Sequence, residues 1–278
     1  FAGLYWKAPS AGSQNVLARY GDAGKVAAEC DVTVAVLGIN KSIEREGQDR
    51  FSLELPIDQQ EFIKELYKVN PNTVVVLVAG SSLAVNWMDE NVPAILNAWY
   101  PGEQGGNAVA EVLFGDYNPG GRLPLTYYNS LDEIPAFDNY SVKGRTYQYF
   151  EGQPLYEFGY GLSYTKFRYK SKGVSVAQDT VKVSFEVSNT GKYDGDEVAQ
   201  VYVKYPETGT YMPLKQLHGF KRVHIKKGKT SKVTVGVPKK DLRYWDEQER
   251  KFVTPKGEYT FMVGASSEDI KFRETVGL

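Results

Sequence analysis

The sequence predicts a layered α/β domain followed by an all-β sandwich. Three observations carry that reading: strands alternate with helices up to about residue 135, the hydrophobic period drops to two from about residue 166, and turn residues separate the later runs. Residues 32–37, apolar and rich in β-branched side chains, read as a strand, as do residues 73–78 and residues 94–99, the last entered through Pro93. Between the first two, Phe62, Ile63, Leu66 and Tyr67 recur at helical spacing after Pro56 and Asp58, which are helix-start residues. After the third, Ala108, Val109, Val112 and Leu113 repeat that spacing and run into Gly115, a C-terminal cap. Strand and helix in alternation imply parallel pairing through right-handed crossovers. Residues 1–139 are therefore expected to form a doubly wound α/β layered sandwich, a mostly parallel sheet with helices on both faces.

In the second part Val181, Val183, Phe185 and Val187 alternate with polar neighbours. Ala199, Val201 and Val203 do the same, as do Val233, Val235 and Val237, then Tyr259, Phe261 and Val263. Asn189-Thr-Gly191, Lys227-Gly228 and Lys256-Gly257 supply turns. Short strands at such spacing predict a β-sandwich of the fibronectin type III kind over residues 166–278. Residues 140–165 form a Tyr- and Gly-rich tract too apolar for a flexible linker, expected to be an ordered connector.

Composition excludes several functions. With 33 basic and 34 acidic residues, no charge excess points to nucleic acid or an anionic membrane surface. No apolar run reaches the roughly 18 residues of a membrane span, and no signal peptide is visible. The one cysteine, Cys30, has no intrachain partner, and His218 and His224 lie far from it in sequence. Zinc and Cys-His nucleophile chemistry are poorly supported, and no metal or cofactor is expected. Asn118-Pro-Gly-Gly121 lacks the lysine-serine pair of a P-loop, and no dinucleotide fingerprint follows Val78. Twenty Tyr, 13 Phe and 4 Trp suit sugar rings and sandwich cores alike. Trp87 and Trp245 are expected in a core or between domains, and His218 hydrogen-bonded within the sandwich. The chain begins at Phe1 rather than Met, which reads as a processed product or a fragment.

The segment Ser42-Ile-Glu-Arg-Glu-Gly-Gln-Asp-Arg-Phe-Ser-Leu-Glu-Leu-Pro56 concentrates the chemistry. It follows the first strand, and in open α/β sheets ligands bind outside the carboxyl ends of the strands. Glu44 and Glu46 thus sit where a carboxyl group can face a substrate; if the loop is extended they point opposite ways and only one faces the cleft. The competing reading is a solvated ion-pair cluster of Glu44, Arg45, Glu46, Asp49 and Arg50.

The Glu-Arg-Glu-Gly-Gln-Asp-Arg loop occurs together with Asn97-Ala-Trp-Tyr-Pro-Gly-Glu-Gln-Gly-Gly106, Leu113-Phe-Gly-Asp-Tyr-Asn-Pro-Gly-Gly-Arg-Leu-Pro124 and Phe158-Gly-Tyr-Gly-Leu-Ser-Tyr-Thr165. Four motifs in this order resemble the C-terminal half of glycoside hydrolase family 3 enzymes over almost the whole chain. The resemblance implies a retaining, exo-acting β-glycosidase acting on terminal sugars of plant-type oligosaccharides. Such enzymes carry the aspartate nucleophile on an N-terminal (β/α)8 barrel, here expected on the same or a separate chain. The general acid/base is a glutamate on a loop of the next domain; Glu46 matches that position, with Glu44 second. The two carboxyl groups of a retaining site stand roughly 5 to 5.5 Å apart, and a proton donor needs a raised carboxyl pKa, which burial or a nearby carboxylate supplies. Asp49 and Arg50 are expected to support the loop. The runs from Ser42 to Glu46 and Gly144-Arg-Thr-Tyr-Gln-Tyr-Phe150 look more like the β-xylosidase branch than the β-glucosidase branch. The resemblance also implies a periplasmic or secreted enzyme, with this piece inactive alone. The alternative is a non-catalytic carbohydrate-binding or structural module.

Overall fold

The computed structural model describes residues 20–278; residues 1–19, the start of the expected first domain, lie outside the described residues. The chain packs as two compact units. One runs to Gly106 and takes in Asn129–Leu131; the other comprises Asn107–Tyr128 and Asp132–Leu278.

The first unit holds α1 (Ala23–Ala28), β1 (Thr33–Gly38), α2 (Ile57–Val69), β2 (Thr73–Val78), α3 (Asn86–Asn91) and β3 (Ala94–Asn97), and α4 (Gly105–Phe114) begins at its end. The strands pair in parallel in the order β1-β2-β3, with Gly38 opposite Val78 and Leu77 opposite Asn97. Ile63 and Leu66 of α2 are buried, as are Val75, Val76 and Leu77 of β2. Asn70, buried at the end of α2, donates from Nδ2 to the Ala27 and Cys30 carbonyls (2.9 and 2.8 Å) and so closes α1 as well.

The parallel order β1-β2-β3 agrees with the expected layered sheet, and the central strand β2 is buried on both faces, Val75 and Leu77 on one and Val76 on the other, whereas β1 buries Ala35 and Leu37 and leaves Val36 64% exposed. Over the described chain most strand pairing is antiparallel, because the second unit supplies most of the strands.

In that unit α4 ends at Gly115, which holds φ +83° as the left-handed residue expected after a helix. The short α5 (Thr146–Tyr149) follows, then β4 (Phe167–Val176), β5 (Thr180–Asn189), β6 (Gly195–Lys204), β7 (Gln216–Ile225), β8 (Thr230–Pro238), β9 (Tyr244–Asp246), β10 (Lys251–Val253), β11 (Glu258–Gly264) and β12 (Ile270–Gly277). A three-stranded sheet, β4-β5-β8, faces a four-stranded sheet, β12-β11-β6-β7, and β9 and β10 form a separate hairpin. All the alternating residues of the sequence pattern, from Val181 to Val263, are buried in one core between the sheets.

The connector covers the outer side of β6, which explains why Gln200 and Tyr202 are buried beside the inward residues. Tyr147 stacks on Phe158 (4.3 Å between centroids) and meets Tyr202 edge-on, while the Leu217 amide donates to its hydroxyl. Residues 107–128, assigned from sequence to the first domain, pack within this unit. Asn118 donates to the Asp194 carbonyl and accepts from the Tyr164 amide, and Arg122 Nη2 donates to Glu197 (2.7 Å), whose other oxygen accepts from the Tyr169 hydroxyl (2.6 Å).

Candidate active site

The loop after β1 is positioned by two contacts at the strand end. Gln59, buried on α2, brackets Gly38: the Gly38 amide donates to Oε1 (2.8 Å) and Nε2 donates to the Gly38 carbonyl (2.7 Å). A Cβ at Gly38 would fall on the Val78 carbonyl, so only glycine lets the two strands leave the sheet this close together. The parallel register therefore brings the loops after β1 and β2 side by side.

Within the loop, Asn40 Oδ1 accepts from the Ser42 amide and hydroxyl, and the Asn40 carbonyl accepts from the Ile43 and Glu44 amides. Arg45 and Gln48 then exchange backbone hydrogen bonds of 3.1 and 2.9 Å around Glu46 and Gly47. Gly47 has φ +73°, the requirement at the third position of a type II turn. The loop is thus a tight turn rather than the extended segment entertained from sequence, and Glu46 stands exposed at its tip.

Glu44 faces the protein. Its Oε2 receives Ser81 Oγ from the loop after β2 (2.5 Å) and pairs with Arg50 Nε (2.7 Å). The Arg50 side chain is only 9% exposed, and its Nη2 donates to the Ser82 carbonyl (2.7 Å). The cation that ties the loop to the residues after β2 is Arg50, and its carboxylate partner is Glu44; Asp49 is exposed. Ser81 and Gln59 escaped the sequence reading because no spacing links them to the loop. Only the register between β1 and β2 and the packing of α2 bring them there. Phe51, directly after Arg50, is 100% exposed.

The third strand end adds aromatic groups. Trp99 holds φ +55°, which costs an L-residue about 1–2 kcal/mol. Half-exposed Tyr100 donates from its hydroxyl to the Ile39 carbonyl at 3.4 Å, and its ring lies where a Cβ on Gly80 would go. Of the other residues singled out, Trp87 is half-buried, edge-on to Tyr67, with the Lys64 ammonium 5.7 Å from its ring. Trp245 corrects the core expectation: it projects from the β9–β10 hairpin, 49% exposed, against Phe252. His218 is half-buried and hydrogen-bonded to Tyr205 (2.8 Å). Among the described residues no group of three or more His, Cys, Asp and Glu is arranged to hold a metal ion, and no helix is long and apolar enough to cross a membrane.

Residues 6–164 match the glycosyl hydrolase family 3 C-terminal domain, and residues 197–267 match the fibronectin type III-like domain. The chain belongs to glycosyl hydrolase family 3. This family 3 chain is 43% identical to a xylan 1,4-β-xylosidase of Xylanibacter ruminicola over 80% of its own length and 26% of the relative's. It is 37% identical to a β-glucosidase of Kluyveromyces marxianus over 90% of its length and 31% of the relative's. The crystal structure of a β-glucosidase from Kluyveromyces marxianus superposes with a TM-score of 0.87 at 35% identity, over 96% of this chain and 35% of that one. The family 3 chain thus spans between a quarter and two fifths of the length of these relatives.

Proposed function

We propose that this chain is the C-terminal portion of a retaining, exo-acting β-glycosidase and that Glu46 is its general acid/base. The carrying observation is the turn itself: an exposed carboxylate at its tip, outside the carboxyl end of β1, on a loop anchored by Arg50 and Glu44. An N-terminal barrel, on the same or a separate chain, supplies the aspartate nucleophile. Glu46 protonates the glycosidic oxygen as the aspartate attacks the anomeric carbon; the Glu46 carboxylate then takes a proton from the water that releases the sugar. Glu44, already committed to Arg50 and Ser81, holds the loop rather than transferring the proton. Without the barrel the piece lacks a nucleophile and is inactive, and the whole enzyme acts outside the cytoplasm.

The sugar is a terminal β-xylosyl unit in preference to β-glucosyl. The run from Ser42 to Glu46 and the Gly144–Phe150 motif favour it, as does the higher identity to the protein named a xylosidase than to the one named a glucosidase. In the complete enzyme, p-nitrophenyl β-xyloside should give the larger kcat/KM; a larger value for the β-glucoside reverses this preference. Glu46→Gln tests the acid role. It should slow substrates with poor leaving groups by about 100-fold or more while sparing activated aryl glycosides. Equal losses on both classes remove Glu46 from that role.

A further inference from the structure

An open hollow lies wholly within the second unit, with Asp132, Glu133, Tyr149, Phe150, Glu151 and Tyr211 among the residues that line its space of about 400 Å³. Its walls are built by the Gly144–Phe150 motif, whose residues divide their labour. Arg145 donates to the carbonyls of Pro135, Ala136, Asn139 and Ser141 and so shapes the loop that forms one wall. Thr146 takes φ +55°, a strained value for a β-branched residue, and its amide donates to the Tyr128 hydroxyl (2.7 Å). Such strain in a residue that is not glycine gathers at ligand clamps. Tyr147 turns inward to the sandwich, whereas Tyr149 and Phe150 turn to the cavity. Tyr149 stacks on Tyr211 (5.4 Å, 17° between planes), and Phe150 meets Tyr128 edge-on. Gly152 leaves the space that Phe150 occupies.

We infer that this cavity binds a mono- or disaccharide unit of the glycan apart from the Glu46 loop. Aromatic walls suit the C–H face of a pyranose, and carboxylates accept its hydroxyl groups; the lining exposes slightly more polar than apolar surface, the mixture that a ring with one apolar face and many hydroxyl groups calls for. Asp132, Glu133 and Glu151 lend the lining negative charge, which is why a cation serves as the control ligand below; Lys143 of the same segment has its ammonium 4.6 Å from the Tyr211 ring centre. The choice of sugar rests on the glycosidase reading; the cavity does not.

The test is a titration of the 278-residue chain with xylobiose, with cellobiose, and with propylammonium as a cationic control, followed by amide chemical shifts. Either sugar should shift residues 132–152 and 211 with millimolar affinity. Tyr211→Ala and Glu151→Gln should each weaken that binding about tenfold with the thermal midpoint preserved, and Glu46→Gln should leave it unchanged. No sugar-dependent shift up to about 50 mM, a range that saturates a millimolar site, overturns the inference, as does a response to propylammonium alone. A response abolished by Glu46→Gln places the sugar at the turn and also overturns it. The leaving-group test in the complete enzyme is independent of either outcome.

Discussion

Gly47 and Arg50 serve the same turn by different physics. A Cβ at Gly47 meets no atom within 4 Å, so glycine is needed there for its dihedral angle and not for space. Gly47→Ala should cost about 1 kcal/mol or relax the turn, re-aiming Glu46. In the complete enzyme the expected result is a loss of kcat with almost no change in thermal midpoint. Arg50→Ala removes the cation beside a carboxylate whose side chain is 25% exposed, leaving Glu44 with Ser81 alone and the Ser82 carbonyl without the Arg50 donor. Such truncation should destabilise the chain by about 2 kcal/mol, read by urea unfolding. The charged segment was legible in the sequence as a loop after a strand, since Glu44, Glu46 and Arg50 all follow the apolar run that forms β1. Which carboxylate is tethered and which is presented was not, because Ser81 enters through sheet register.

At the scale of elements, legibility followed the periodicity. Strands with one buried face, such as β5 and β8, declared themselves by strict alternation, and the same residues form the core. Phe185→Ala, which empties space beside Tyr169 and Phe272 in that core, should cost about 3–5 kcal/mol. β6 hid more. Its alternation marks Ala199, Val201 and Val203, yet the connector also buries Gln200 and Tyr202 on the other side. Alternation of strand and helix announced the parallel pairing of the α/β part but not the strand order β1-β2-β3, a long-range property that local pattern does not carry. The Arg122–Glu197 pair, with side chains 8% and 3% exposed, escaped notice for the same reason: its partners are 75 residues apart. Arg122→Ala should destabilise by about 3 kcal/mol by stranding Glu197, and Arg122→Leu with Glu197→Leu should recover much of the loss. A double variant no better than the single one would refute the pairing as the cause.

For the molecule as a whole, pH provides a check on the sandwich separate from catalysis. Burial holds the His218 imidazole below its ordinary value, with Asp241 opposing. The unfolded side chain, near pH 6.5, then binds protons before the folded one. The resulting stability is present above about pH 6.5 and is lost as pH falls toward the folded value. Thermal midpoints should decline from pH 7 to pH 5, and His218→Gln should make that decline shallower; an unchanged slope assigns it to other groups. The larger claim is that a family 3 chain spanning a minor part of its relatives' length presents the proton-transferring carboxylate of a glycosidase from the turn after β1. Azide trapping tests it most directly. In the complete enzyme, Glu46→Ala acting on an activated aryl β-xyloside with sodium azide should release β-xylosyl azide, because the small anion reaches the glycosyl-enzyme where the base has been removed. Xylose alone from Glu46→Ala, with the β-azide appearing instead from Glu44→Ala, would contradict the assignment.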